Sequence, residues 1–264
     1  MTAPHANPVL ARALAEGMAV TDHTDKGYDE ELEALRRAVV DMGGLAQSMV
    51  ADATVSLAGS DVELAQEVAA ARSRFVDLRR RVDSSAVLTI ARRAPVAADL
   101  REVVAAIRIA ADLGRVARHA VSIADCAARI GSTLHIPRAI LGHQPMSVLA
   151  VELLKDALLS YARRDAEGAR AVWERDQNLD ALESFAYDDL IGRMIEDPRG
   201  ISFCMRMMSA TKDIERIGDH ATNIAETVVY LVTGEALQDE RPRGGETEIQ
   251  PGEAGDFDAG SNRS

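Results

Sequence analysis

The sequence predicts an all-α fold of two tandem antiparallel three-helix bundles related by internal duplication, and three observations carry that prediction. First, residues 212–226, Lys-Asp-Ile-Glu-Arg-Ile-Gly-Asp-His-Ala-Thr-Asn-Ile-Ala-Glu, have a weaker copy at 111–125, Ala-Asp-Leu-Gly-Arg-Val-Ala-Arg-His-Ala-Val-Ser-Ile-Ala-Asp. Laid over one another, the copies pair Ile214 with Leu113, Arg216 with Arg115, His220 with His119, Ile224 with Ile123 and Glu226 with Asp125, so the chain is duplicated. Second, 47% of the residues are hydrophobic but only 3% aromatic, and an Ala-rich aliphatic core suits closely packed helices better than a sheet sandwich. Third, apolar residues recur at helical spacing between Gly and Pro breaks.

The elements follow in order. Residues 1–27 mix Pro, His, Thr and Asp and are expected to be loosely ordered, with Val9 to Val20 as a stretch suited to a short helix. From Tyr28, Leu32, Leu35, Val39, Met42, Ala46, Met49, Ala53 and Leu57 fall at alternating steps of three and four, one stripe of a long helix. Gly59 ends it. Ser60-Asp61-Val62-Glu63 has the form of a capping box, with the serine and glutamate satisfying the backbone donors of a second helix that runs to about Arg93. Pro95 marks the turn into a third helix ending near Ile130. The first bundle therefore covers 28–133, and residues 134–146, with Pro137, Gly142 and Pro145, form the expected linker.

The second bundle, 147–234, repeats the plan with helices at about 147–163, 165–196 and 201–232, the last two joined by Asp197-Pro198-Arg199-Gly200. Residues 235–264 carry Pro, Gly and many carboxylates with little to bury, and are expected to be an acidic disordered tail.

Composition excludes several classes of function. A net charge of −12 argues against a reader of nucleic-acid phosphates, which needs a concentrated basic surface. Cys126 and Cys204 lie inside helical patterns without metal-type spacing and read as core thiols in a reducing compartment. No apolar run approaches the roughly 20 residues of a membrane span, and the N-terminus lacks a basic start followed by an apolar stretch, so a soluble cytoplasmic protein is expected. No Gly-rich phosphate loop, nucleophile elbow or ordered Cys/His arrangement points to catalysis.

The carboxylates of the second bundle can be placed by counting from Pro198, because residues at equal distance from an antiparallel hairpin lie level. Asp180 is 18 residues before it and Glu215 is 17 after, while Asp176 is 22 before and Asp219 is 21 after. Each helix thus offers an i,i+4 pair on one face. Four acidic groups converging on the seam could hold one or more oxygen-ligated cations, although acidic pairs are also common on solvated helix faces. The same count in the first half gives Arg72, Val76, Gly114 and Arg118, so no cation site is expected there.

From Tyr28 to Glu235 the chain resembles the PhoU family, phosphate-transport accessory and regulatory proteins built from two three-helix bundles. The most specific segment is Glu215-Arg216-Ile217-Gly218-Asp219-His220-Ala221-Thr222-Asn223-Ile224-Ala225-Glu226, followed by Val228-Val229-Tyr230 and Thr233-Gly234-Glu235; Pro95-Val96-Ala97-Ala98-Asp99-Leu100-Arg101 resembles the family's entry into its third helix. The resemblance implies metal ligation at Glu215 and Asp219, completed by Asp176 and Asp180, with a divalent or trivalent ion in the second bundle only. It implies negative control of phosphate uptake and of the phosphate-starvation response. The implied partners are the ATPase subunit of a phosphate ABC transporter, a phosphate-sensing histidine kinase and a second copy of the chain, with membrane contact only through partners. A metal-buffering helical protein without a signalling role is the alternative from another class, and an accessory of a different phosphate permease is a third reading.

His119 and His220, at equivalent positions, read as helix histidines with hydrogen-bond partners rather than as ligands or pH sensors. Asn223 could anchor the site or bond between helices. The arginine runs at 79–81 and 92–93 read as solvated faces, and Met205, Met207 and Met208 at least partly as core.

Overall fold

The computed structural model describes residues 8–16, 26–131 and 143–237. Among the described residues the α-helices run in the order α1 Pro8–Glu16, α2 Lys26–Gly59, α3 Val62–Arg93, α4 Ala97–Gly131, α5 His143–Arg163, α6 Ala166–Glu196 and α7 Ile201–Thr233, with a 3-10 turn, Pro198–Gly200, before α7. Helices α2, α3 and α4 pack together as the first bundle and α5, α6 and α7 as the second. The bundles meet chiefly through α4 against α7, with α2 against α5 behind them and α1 laid across α5 and α2. Among the described residues no helix is long and apolar enough to cross a membrane. Most of the expected acidic tail and of the expected linker lies outside the described residues.

Periodicity explains the core. Every residue of the stripe from Leu32 to Leu57 is buried, and the matching faces of α4 (Ile109, Leu113, Val116, Ile123) and α7 (Ile214, Ile217, Ile224, Val228) are fully enclosed. Small residues let the bundles close on each other. At Gly43 on α2 a Cβ would stand 2.5 Å from Leu158 Cδ2 of α5, a separation that only glycine leaves open. Trp173 is buried, as is Met207, whereas Met205 is exposed. Both cysteines are free; Cys204 is buried, and burial pushes the half-buried Cys126 thiol up to about 11.

The α2–α3 and α5–α6 turns are copies of one another. In the first, Asp61 N–H donates to Ser56 O at 3.0 Å, and the Asp61 carboxylate accepts from Leu64 N–H at 3.0 Å. In the second, Asp165 N–H donates to Ser160 O at 2.9 Å and the Asp165 carboxylate accepts from Gly168 N–H at 2.9 Å. The N-cap is therefore Asp61 and not the expected Ser60, which takes a left-handed φ of 53° to reverse the chain. Arg164, one residue before Asp165, has the same conformation at φ 55°. The second helical hairpin differs from the expected boundaries at one end: α5 begins at His143 rather than Ser147. Pro145 falls in its first turn, where a missing N–H leaves no intrahelical bond unmade.

Two buried polar contacts tie the frame together. Arg36 on α2 holds Glu102 of α4 through Nε at 3.1 Å, and Arg164 reaches the same carboxylate from the second bundle at 2.9 Å. Glu102 thus bridges the bundles with one arginine on each oxygen. At the start of α5, the buried His143 Nε2 lies 2.6 Å from Thr211 Oγ1 of α7, and burial holds the ring below its ordinary pKa.

Two outcomes follow. Asp61→Ala should cost about 1 kcal/mol in urea unfolding, whereas Ser60→Gly, which suits the left-handed turn, should not lower stability; the reverse ranking would restore the serine cap. For His143, a pKa depressed in the folded state means that the unfolded chain takes up the proton first. Its contribution is present above the ordinary value of 6.5 and is lost as pH falls through the folded value. The acid-side slope of thermal stability should flatten in His143→Gln, and an unchanged slope would contradict the burial argument.

Candidate functional site

Across the α6–α7 seam, Glu183 of α6 meets Lys212 of α7, and Asp176 of α6 lies beside Gly218 of α7; Asp180 follows Asp176 by one turn on α6, and Glu215 and Asp219 flank Gly218 on α7. Gly218 permits the close approach, since a side chain there would collide with Leu179 and stand 3.6 Å from Asp176 Oδ1. Asp176 is consequently buried, while Asp180, Glu183, Glu215 and Asp219 are partly covered.

The electrostatics of the seam centre on Lys212. Its Nζ stands 3.0 Å from Glu215 Oε2 and 3.4 Å from Glu183 Oε1, and Arg216 Nε approaches Glu215 Oε2 at 3.7 Å. Burial raises the Glu215 pKa, the hydrogen bond from Lys212 opposes that, and the neighbouring Asp219 and Glu183 charges add to the rise. For Lys212, burial works against the charge, but Glu215 and Glu183 outweigh it and the ammonium pKa is raised. Tyr187, one turn beyond Glu183, is pushed up to about 12 by burial and then by Glu183.

All four expected ligands, Asp176, Asp180, Glu215 and Asp219, belong to the two helices that form this seam. Among the described residues, however, no three His, Cys, Asp or Glu side chains are placed to share one ion. The ammonium of Lys212 already lies against two of the seam's carboxylates. As arranged, this donor set does not fit a resident metal. Glu183 and Lys212 escaped the carboxylate count, although the same rule finds them: Glu183 is 15 residues before Pro198 and Lys212 is 14 after.

The first bundle solves the equivalent position differently. Arg79 of α3 lays its guanidinium over Gly114 of α4, in the space a Cβ would take, and pairs with Asp83 at 3.6 Å. Arg79 corresponds to Glu183 by the register of the copied turns, and Gly114 corresponds to Glu215.

Between the bundles lies a second constellation. His119 Nδ1 of α4 is 2.7 Å from Asp213 Oδ1 of α7, and His220 Nδ1 of α7 is 3.0 Å from Asp112 Oδ1 of α4. Facing a carboxylate, each Nδ1 carries the proton and donates. The two rings stack with centroids 5.8 Å apart and planes inclined by 26°. These partnered histidines match the structural reading of the sequence; the aspartates were missed. The signal for them was Asp-x6-His in both copies, a seven-residue spacing that puts both groups on one helix face. Arg108 over the Tyr230 ring at 5.6 Å extends the same interface.

A duplicated pair of three-helix bundles, joined through reciprocal polar pins, defines an all-α protein of the two-bundle class. A PhoU domain is matched at residues 39–127 and again at 144–228, and the chain belongs to the PhoU family, one of regulatory accessory proteins and not of enzymes. It is 43% identical over 222 residues to the phosphate-specific transport system accessory protein PhoU homolog of Rhizobium meliloti, covering 84% of this chain and 93% of that protein. The homolog of Caulobacter vibrioides is 38% identical over 224 residues, covering 85% and 97%. The crystal structure of PhoU from Pseudomonas aeruginosa superposes with a TM-score of 0.76 at 35% identity, covering 79% of this chain and all (100%) of that one.

The reciprocal pins should be energetically coupled within each pair. In a double-mutant cycle of Asp112→Ala and His220→Ala, urea unfolding should give a coupling of about 0.5–3 kcal/mol; additive single effects would mean that the 3.0 Å contact contributes nothing.

Proposed function

We propose that this chain is a cytoplasmic negative regulator of phosphate uptake and of the phosphate-starvation response, acting through protein contacts. It relays the state of a phosphate ABC transporter, through that transporter's ATPase subunit, to a phosphate-sensing histidine kinase, and works as a homodimer. The names of its relatives, accessory proteins of phosphate-specific transport systems, support the transport side of this reading.

One structural observation favours a relay. Because α4 and α7 run antiparallel, the α3–α4 and α6–α7 hairpin tips lie at opposite ends of the molecule, and both expose large apolar side chains. The first tip shows Val96 at 72% and Val87 at 62% exposure; the second shows Ile195 at 76% and Met205 at 55%. Apolar groups left in water at two separated ends of a fixed frame suit two docking interfaces. A relay requires such a pair, since coupling is a free energy shared between two sites.

The test is secreted phosphatase activity in a strain lacking the gene and grown with abundant phosphate. Activity should be high in the deletion strain and return to low with the wild-type gene. Ile195→Glu and Val96→Glu should each fail to restore repression while keeping wild-type helicity and thermal midpoint. Low activity in the deletion strain would sink the regulatory reading, and full repression by both tip variants would remove the tips from it.

A further inference from the structure

At the α6–α7 seam, Glu183 of α6 and Glu215 of α7 share one ammonium, that of Lys212 from the same chain. Lys212 projects from α7 one turn before Glu215 and spans to Glu183 on α6, at 3.0 Å and 3.4 Å. A multivalent cation and an ammonium do the same electrostatic work there, offsetting carboxylate repulsion, and they compete for the same oxygens.

The duplication supplies an independent observation. Three positions change together between the halves: Arg79, Ala111 and Gly114 in the first correspond to Glu183, Lys212 and Glu215 in the second. Where α3 brings a cation, α4 offers no charge and a glycine to make room for it. Where α6 brings a carboxylate instead, α7 places a lysine between that carboxylate and its own Glu215. A lysine at position 111 would stand near Arg79, and an alanine at 212 would leave Glu183 and Glu215 without the ammonium. The exchange makes physical sense as one concerted compensation.

We infer that Lys212 is the built-in counter-ion of the second bundle, tying Glu183 of α6 to Glu215 of α7 without a metal ion. The inference is independent of the regulatory reading and concerns how the acidic face is held in shape. Lys212 neutralises part of the seam and keeps Glu183 and Glu215 oriented toward each other.

Thermal unfolding and metal analysis of the purified full-length protein test it. Wild type, dialysed against chelator and then given Mn2+ or Mg2+ at millimolar concentration, should keep the same Tm and retain no stoichiometric metal. Lys212→Met should lower Tm by about 1–3 °C, and Mn2+ should recover part of the loss; Lys212→Arg should stay near wild type. Because Lys212→Met also changes packing, the triple variant Lys212→Met, Glu183→Gln, Glu215→Gln separates the causes. Removing the charges together should restore stability with no response to Mn2+. Stoichiometric metal in wild type, a wild-type Tm that rises with Mn2+, or a Lys212→Met protein with wild-type Tm would each overturn the inference. A triple variant no more stable than Lys212→Met would show that packing, and not charge, is what Lys212 supplies.

Discussion

The contact between α4 and α7 is the constraint on which the rest of the structure depends. Each three-helix bundle has one flank that its own helices cannot cover, and the two flanks close on each other along this antiparallel pair. The apolar fill, from Ile109 to Ile123 on one side and Ile214 to Val228 on the other, supplies the drive for closure but little directional information. Direction comes from the polar groups. Asp112 meets His220 and Asp213 meets His119, so each bundle holds the other twice, with the stacked rings between. Sliding one helix by a turn would break both pairs and take the buried His220 away from its carboxylate, at roughly 1–3 kcal/mol for a buried group left unsatisfied.

Fixing that register fixes much else. It brings Arg164, at the α5–α6 turn, within reach of Glu102 at the N-terminal end of α4, so a carboxylate already held by Arg36 gains its second partner only when the bundles are docked. It also places the two hairpin tips at opposite ends, which separates their exposed apolar groups along the length of the molecule. A buried Glu102 with an arginine on each oxygen is a weak source of net stability, and its second arginine is supplied only in the docked arrangement.

Most of the frame was legible in the sequence, for a physical reason: Gly59, Pro95, Pro198 and Gly234 interrupt long stretches of 3.6-residue periodicity, and helices this long have few other places to end. The misses were local. Ser60 and Asp61 are both good caps one residue apart, and what decides between them is the left-handed reversal at Ser60, a backbone conformation that composition does not announce. Pro145 was read as part of a linker because a proline near glycine looks like a break, whereas in the first turn of α5 it costs no hydrogen bond. At the acidic seam the count from Pro198 levels Asp176 with Asp219, and Gly218, beside Asp219, lies against Asp176. The count did not foresee Lys212, because counting carboxylates alone leaves out the cation that those carboxylates attract.

The comparison of the two halves shows why electrostatics can diverge where backbone does not. Arg79 lies over Gly114, and Lys212 lies between Glu183 and Glu215; the helices pass each other in the same register in both cases. A seam between two helices tolerates either sign of charge provided that the charge is answered locally and that one position is small enough to admit the answering group. In the first bundle the small position is Gly114, facing the arginine. In the second it is Gly218, one turn along, which lets Leu179 and Asp176 press against α7 while the lysine answers from its own helix. Duplication therefore preserved the shape that positions the two surfaces and left their charges free to differ, which gives a molecule built from two similar halves two chemically distinct sides.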